Sequence, residues 1–281
     1  MKSGITYLRN YFRIIRPLNV LISIISIWVA ALISSQFHVN MRLVLGGLVA
    51  ALITGGANII NDIYDIKIDR INKPGRMLPS GVITVETAWK YFYFSYGLAI
   101  IVSVFCGWDM FFVASVVAIS LYWYSVVLKR TILWGNILVS FSTGVAFIYG
   151  AMAVNDWPAG VIPGIFAFFF HFGREIIKDM QDIKGDLSEN AVTFPGQKGM
   201  KSSIALVNLI FILLIILTIV PYILNIYNLT YLFVVLIGVD LILLMVSISI
   251  WKWNDPSALG KFSHLLKLDM VVGLIAIYLG S

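Results

Sequence analysis

Nine apolar stretches dominate this sequence, at residues 18–37, 43–61, 91–107, 110–127, 136–154, 159–177, 204–224, 229–250 and 264–280. A helix crosses the hydrocarbon of a bilayer with about 20 predominantly apolar residues. Inside lipid the backbone must satisfy its own hydrogen bonds, which each α-helix does internally. The expected fold is therefore all-α, a polytopic membrane protein with nine transmembrane helices and one intramembrane domain over residues 1–281. With 60% hydrophobic and 12% charged residues along 281 positions, almost nothing remains for a separate soluble domain.

The charges assign the two sides. If nine helices alternate in direction, the N-terminus and the loops after even-numbered helices share one face, and of the 20 Lys and Arg residues only Arg42 falls on the other. The positive-inside rule then places the N-terminus in the cytoplasm and the C-terminus outside. Removing one span would scatter the positive charge over both faces. Lys2, Arg9, Arg13 and Arg16 lead into the first apolar run without a small-residue cleavage site, so that run is read as a retained helix. The net charge of +6 follows from this topology, and no basic arm with interleaved aromatics accompanies it, so nucleic acid is not an expected partner. The single cysteine, Cys106, excludes internal disulfides and thiolate metal clusters and is read as packing. No obligate protein partner is expected.

Six of the 14 acidic residues lie in two segments: Asp62, Asp65 and Asp69 after the second apolar run, and Asp179, Asp182 and Asp186 after the sixth. Both read D-x2-D-x3-D, offset by 117 residues, a weak internal duplication of the kind that meets around a shared site in membrane proteins. Steps of three and four place such side chains on one helical face. The first stripe also carries Asn58 and Asn61. Like charges at this spacing repel, and an ionised residue at the membrane centre costs about 2.5–3.5 kcal/mol on insertion scales, so a cation is expected. Carboxylates with an amide oxygen suit Mg²⁺, which takes one or two carboxylates and completes its shell with water and phosphate oxygens.

Basic residues stand beside both stripes: Arg70, Lys73 and Arg76 after the first, Lys129 and Arg130 after the fourth apolar run, and Arg174 and Lys178 before the second stripe. A diphosphate leaving group gains charge as its C–O bond breaks, and preorganised cations stabilise that charge more in the transition state than in the ground state. The alternative, solvated helix ends with positive loops, accounts for single cations but not for two copies of one acidic spacing.

The motifs N-D-x-x-D-x-x-x-D (Asn61 to Asp69), R-I-N-K-P-G-R-M-L-P-S-G (Arg70 to Gly81) and R-E-I-I-K-D-M-Q-D-I-K-G-D (Arg174 to Asp186) resemble the UbiA-type intramembrane prenyltransferases. R-P-L-N (Arg16 to Asn19), Y-S-V-V-L-K-R (Tyr124 to Arg130) and the pair Gly135–Asn136 extend the resemblance over nearly the whole chain. It implies a nine-helix bundle around a central cavity, in the cell membrane, with the active site facing the cytoplasm. Within the family the second acidic motif and L-K-R-x-x-x-x-G-N most resemble the branch that makes digeranylgeranylglyceryl phosphate, an ether-lipid precursor. That branch implies geranylgeranyl diphosphate as donor, a lipid phosphate as acceptor, membrane lipids around the bundle, and two Mg²⁺ ions. Met77 stands where the family usually has proline, and Leu187 to Val192 replaces a more basic, glycine-containing stretch.

The resemblance assigns Asn61, Asp65, Asp182 and Asp186 as inner Mg²⁺ ligands, with Asp62, Asp69 and Asp179 in the same sites or orienting water. Asp65, Asp182 and Lys129 carry the catalytic expectation. Arg70, Lys73, Arg76, Lys129 and Lys178 are expected on the diphosphate, and Arg16, Asn19, Asn58, Tyr124 and Arg174 on the cavity wall or the acceptor. His171 in F-F-F-H-F is read as packed or hydrogen-bonded, and Asp240 within the eighth run is assigned no role. A relative acting on an aromatic acceptor is the second reading. A cation transporter is the third, disfavoured because the acids lie at one face beside basic partners rather than near mid-bilayer.

Overall fold

The computed structural model describes residues 2–189 and 191–281, with side chains from Thr6 onward. Among the described residues it is all-α: α1 (Lys2–Ile14), α2 (Pro17–Leu32), α3 (Met41–Tyr64), α4 (Ile66–Asn72), α5 (Val85–Val104), α6 (Trp108–Val126), α7 (Trp134–Met152), α8 (Val161–Ser188), α9 (Phe194–Ile223), α10 (Leu229–Val235), α11 (Leu241–Ser249) and α12 (Pro256–Gly280). A π-turn, Leu236–Asp240, joins α10 to α11. The chain is an all-α polytopic membrane protein. Each apolar run overlaps a helical stretch, α10 and α11 sharing one, though the first run extends past the end of α2 into the non-helical residues 33–37. Among the described residues, 7 stretches are long and apolar enough to cross a membrane, or 8 when α1 and α2, bent by 64° at their junction, count as one. α5 has the length, but Glu86, Lys90 and several Tyr and Ser residues hold its hydropathy lower.

Polar caps set the helix starts. Asn40 accepts the Leu43 N–H at 2.8 Å, Thr84 accepts that of Thr87 at 3.2 Å, and Asp255 accepts those of Ser257 and Ala258. Pro17 and Pro256 occupy first-turn positions where a missing N–H costs nothing. These caps begin α5 and α12 well before the apolar runs at 91 and 264, because polar first turns are invisible to a hydropathy window.

The chain divides into two compact units. The first comprises residues up to Lys129 with Ala146–Gly160. Within it α3 packs against α2, α5 and α6. Leu43, Val49, Ala99, Cys106, Met110 and Ala153 are fully buried there, so Cys106 is a packed core thiol. The opposite side of α6 exposes Phe112, Val116, Ile119 and Trp123, an apolar stripe at steps of four and three that suits lipid. Small residues permit the tightest crossings. A Cβ on Gly150 would stand 2.3 Å from the Ile27 carbonyl oxygen of α2, and backbone has little room to retreat. Gly150→Val is expected to destabilise the fold by about 1–3 kcal/mol through overpacking, read as a lower thermal midpoint of the detergent-purified protein. Gly97→Ala, whose Cβ meets nothing within 4 Å, is expected not to lower it.

The second unit comprises Arg130–Val145 and Val161–Ser281. Here α8 packs against α9 and α12, and α10 against α12. Leu209, Ile212, Ile216, Val220 and Ile223 form an exposed apolar stripe along α9. α9 carries a kink at Gly199, whose φ of 80° is open to glycine.

Candidate functional site

The first acidic segment spans a break in the helix. Tyr64 ends α3, Asp65 adopts φ −90° and ψ 1°, and α4 restarts at Ile66. The i→i+4 backbone bonds continue across the break, from Asp65 N–H to the Asn61 carbonyl at 2.9 Å and from Asp69 N–H to the Asp65 carbonyl at 2.7 Å. The side chains therefore keep their helical spacing, and Asp62, Asp65 and Asp69 are only 6%, 4% and 3% exposed.

Three cations neutralise these three buried carboxylates. Arg16 and Arg76 both pair with Asp62, Arg76 also reaches Asp69 at 2.5 Å, and Lys129 pairs with Asp65. Lys129 donates as well to the Asn61 amide oxygen at 3.0 Å, while the Asn61 amide N–H donates to Asp65 at 2.8 Å. Burial pushes the Asp65 carboxyl up, but Lys129, Arg76 and Arg16 together outweigh it and hold the group below the ordinary carboxylate range. At Asp69 burial prevails over Arg76, and the carboxyl sits above that range. Burial opposes the Arg76 charge, yet Asp62, Asp69 and Asp65 more than restore it.

Arg16 reaches Asp62 through a strained turn. It is the second of the two residues between α1 and α2 and adopts the left-handed conformation, φ 57° and ψ 79°. Such a conformation in a non-glycine residue persists where neighbours over-determine it. Asn58 donates to the Ile15 carbonyl at 2.8 Å and accepts from Asn19 at 3.3 Å, fixing the chain on both sides of Arg16. The loop after α4 is anchored by Met77 and Leu78, buried with Ile60, Ile63 and Ile83. The side chain at the unusual position 77 thus packs into the core, and its loop presents Arg76.

In the second unit one side of α8 carries His171, Glu175, Lys178, Asp179, Asp182 and Asp186, in steps of three and four. Glu175 is 4% exposed and gathers the cations: Lys178 donates at 2.7 and 2.9 Å, Arg174 at 3.2 Å, and the His171 Nε2 lies 3.4 Å away. Arg174 also donates to the Ser263 carbonyl at 3.2 Å. Asn136 donates to Asp179 at 2.7 Å. Asp186 is buried, Asp182 half-buried.

Seven expected residues thus converge in the first unit: Arg16, Asn61, Asp62, Asp65, Asp69, Arg76 and Lys129, with Asn19 and Asn58 beneath them. Arg70 is exposed on α4, Lys73 is half-buried at its end, and Tyr124 is half-buried on α6. Glu175 and Asn136 received no role from the sequence, although both lie inside quoted motifs. The steps from Glu175 to Lys178 and Asp179 place it on the same face as the second stripe, but only its burial sets it apart from a helix-surface acid.

All of these acceptors are hard oxygens held against positive charge, which is the donor chemistry of Mg²⁺. Among the described residues no group of three or more Asp, Glu, His or Cys side chains is placed to hold a metal ion by itself. A carboxylate set of this kind needs further oxygens from water or phosphate, and the adjacent Arg and Lys side chains suit the same phosphate.

The sequence model of the UbiA prenyltransferase family matches residues 23–269. The digeranylgeranylglyceryl phosphate synthase of Methanothermobacter thermautotrophicus is 32% identical over 271 residues, covering 96% of this chain and 95% of its own. That of Methanobrevibacter smithii is 35% identical over 280 residues, covering 96% and 97%. A solved structure of a digeranylgeranylglyceryl phosphate synthase matches with a TM-score of 0.76 and 32% identity over 98% of both chains. A UbiA homologue from Archaeoglobus fulgidus, solved bound to DMAPP and Mg²⁺, matches with a TM-score of 0.68 at 19% identity over 95% of this chain and 99% of its own, a likeness of fold.

Proposed function

The chain belongs to the UbiA prenyltransferase family, and from that premise we propose that it moves a geranylgeranyl group from geranylgeranyl diphosphate to the free hydroxyl of geranylgeranylglyceryl phosphate. The products are digeranylgeranylglyceryl phosphate and diphosphate. Full-length similarity to synthases of that name supports the substrates. The observation that carries the chemistry is the balanced cluster of Asp62, Asp65 and Asp69 with Arg16, Arg76 and Lys129.

In this reading residues 1–281 act as one domain in the cell membrane, α5 completes nine spans, and the acidic segments face the cytoplasm. Asn61, Asp65, Asp182 and Asp186 would hold Mg²⁺, two ions in all, with Asp62, Asp69 and Asp179 in the same sites or on their waters. When bound, Mg²⁺ supplies positive charge to the diphosphate oxygens as the allylic C–O bond breaks. Arg70, Lys73, Arg76, Lys129 and Lys178 bind the diphosphate, and Arg76 and Lys129 exchange carboxylate partners for phosphate oxygens when it arrives. The bonding electrons leave with diphosphate, the acceptor oxygen attacks the allylic carbon, and its proton passes to the released diphosphate or a nearby aspartate as the new C–O bond forms. Arg16, Asn19, Asn58, Tyr124 and Arg174 line the acceptor side. The apolar surroundings keep water from the cation.

The test is a competition assay on purified protein with Mg²⁺ and labelled geranylgeranyl diphosphate, offering geranylgeranylglyceryl phosphate and 4-hydroxybenzoate together. The doubly prenylated glycerol phosphate is expected as the dominant product. A prenylated aromatic in its place would overturn the acceptor assignment.

A further inference from the structure

The second unit holds two buried acids that the proposed reaction does not use. Asp240 ends the π-turn and Asp269 lies within α12, with only 2% and 1% of their surface exposed. Both belong to helical stretches apolar enough to cross the membrane, and intramembrane ionisable groups are functional candidates by default. Single π-turns within helices also concentrate at functional positions.

Glycine contacts fix how α12 runs beside α10 and the π-turn. A Cβ on Gly280 would meet Tyr231 at 2.3 Å, one on Gly238 would meet Val272 at 2.6 Å, and one on Gly273 would meet Val239 at 3.8 Å. Numbers fall on one side as they rise on the other, so the segments are antiparallel. That register sets Asp240 level with a point on α12 about two positions, roughly 3 Å along the axis, from Asp269, and the Asp240 charge acts on the Asp269 carboxyl.

The donors around this pair do not suffice for its acceptors. Both oxygens of Asp269 lack a hydrogen-bond partner. The Thr218 hydroxyl of α9 lies 3.0 and 3.3 Å from the Asp240 oxygens, but it also lies 2.7 Å from the Ile215 carbonyl. A hydroxyl has one hydrogen. Tyr231 spends its own on the Thr218 carbonyl, at 2.7 Å.

Other titratable or charged groups from the packed elements are few. α9 adds Tyr222 beyond Thr218, α10 adds Tyr231 with Tyr227 against its ring, and α11 contributes none. On α8, His171, Arg174 and Lys178 surround Glu175, where Arg174 meets Ser263, six residues and roughly 9 Å along α12 from Asp269. Lys267 stands two positions from Asp269, around the other side of α12. Among the described residues no Lys, Arg or His pairs with either acid.

We propose that Asp240 and Asp269 form an intramembrane proton-binding site, in which the Asp269 carboxyl O–H is donated to Asp240. The bound proton completes a hydrogen-bonded chain from α12 through the π-turn to Thr218 on α9, with Tyr231 adding α10. It removes the repulsion between two carboxylates in a medium that solvates neither. Without it, the chain of contacts joining these helices breaks at its centre.

Infrared spectroscopy of the full-length protein in lipid nanodiscs tests this directly. Wild type is expected to show a protonated-carboxyl C=O band at neutral pH that shifts in D₂O and disappears in Asp269→Asn. A native-state proton also makes the folding equilibrium fall by up to tenfold per unit rise in pH, by linkage. The thermal midpoint of wild type should therefore decline with pH more steeply than that of Asp269→Asn, which keeps prenyl transfer. No such band in wild type at neutral pH would overturn the proposal. So would a midpoint raised by Na⁺, K⁺ or Ca²⁺ in wild type alone, the signature of an ionised pair holding a cation. If Asp269→Asn does not fold, the wild-type spectrum and its salt response still decide.

Discussion

Asp65→Asn is expected to lower kcat by about 10²–10³-fold, the scale on which removal of one preorganised electrostatic contact slows an enzyme. Asp182→Asn should cost a similar factor, and the double variant should lose little more than either. Groups that act as one unit are grossly non-additive, because the first loss already disables the assembly that the second would damage. The substitution preserves shape, and Lys129, which pairs with Asp65 and the Asn61 oxygen, keeps Asn61 and a quarter-exposed side chain with access to water. The folded protein should persist with an unchanged helical circular dichroism spectrum. The effect then appears in turnover, where a charge supplied in the transition state is read.

Arg76→Ala is expected to produce the largest loss of stability. One guanidinium serves two carboxylates, at 3.2 Å from Asp62 and 2.5 Å from Asp69, and the side chains of these acids are 8% and 4% exposed. Removing one partner of a buried pair leaves an uncompensated charge, at about 3–5 kcal/mol. Arg76→Lys should fall between, because a single ammonium does not reproduce the fork. The sign of the pH dependence follows from Asp69, whose carboxyl burial already raises above the ordinary range against the pull of Arg76. Without Arg76 the folded state binds that proton more tightly still than the unfolded chain does. Stability of the variant therefore declines as pH rises through the raised value, and its deficit against wild type is largest at neutral pH and shrinks toward acid. Thermal midpoints of both proteins across that range check the direction.

Much of this organisation was legible in the sequence. The apolar runs located the helices, since lipid leaves the backbone few alternatives. The acidic spacing located the carboxylates that the first unit buries against Arg16, Arg76 and Lys129, since steps of three and four survive even the break at Asp65. Helix starts were legible only in their caps, Thr84 and Asp255, which an average over an apolar window discards. Long-range partnerships were not legible. Nothing near Arg16 in the chain announces Asp62, 46 positions away, because that contact depends on a left-handed turn and on Asn58 holding the Ile15 carbonyl. Glu175 escaped for another reason: within R-E-I-I-K-D it resembles a helix-surface acid, and only burial among Lys178, Arg174 and His171 distinguishes it. Asp269, two positions after Lys267 in the last apolar run, belongs to no motif that marks it in the sequence. The packing of α12 sets it instead near Asp240.

The central claim is that two acidic segments 117 residues apart in sequence serve one metal-dependent diphosphate departure. The most direct measurement is the turnover of wild type, Asp65→Asn, Asp182→Asn and the double variant with saturating Mg²⁺, geranylgeranyl diphosphate and geranylgeranylglyceryl phosphate, all four shown to be folded. Two comparable single losses and a double loss close to either are predicted. A double loss equal to the product of the single losses, or a single variant with wild-type turnover, would contradict the account.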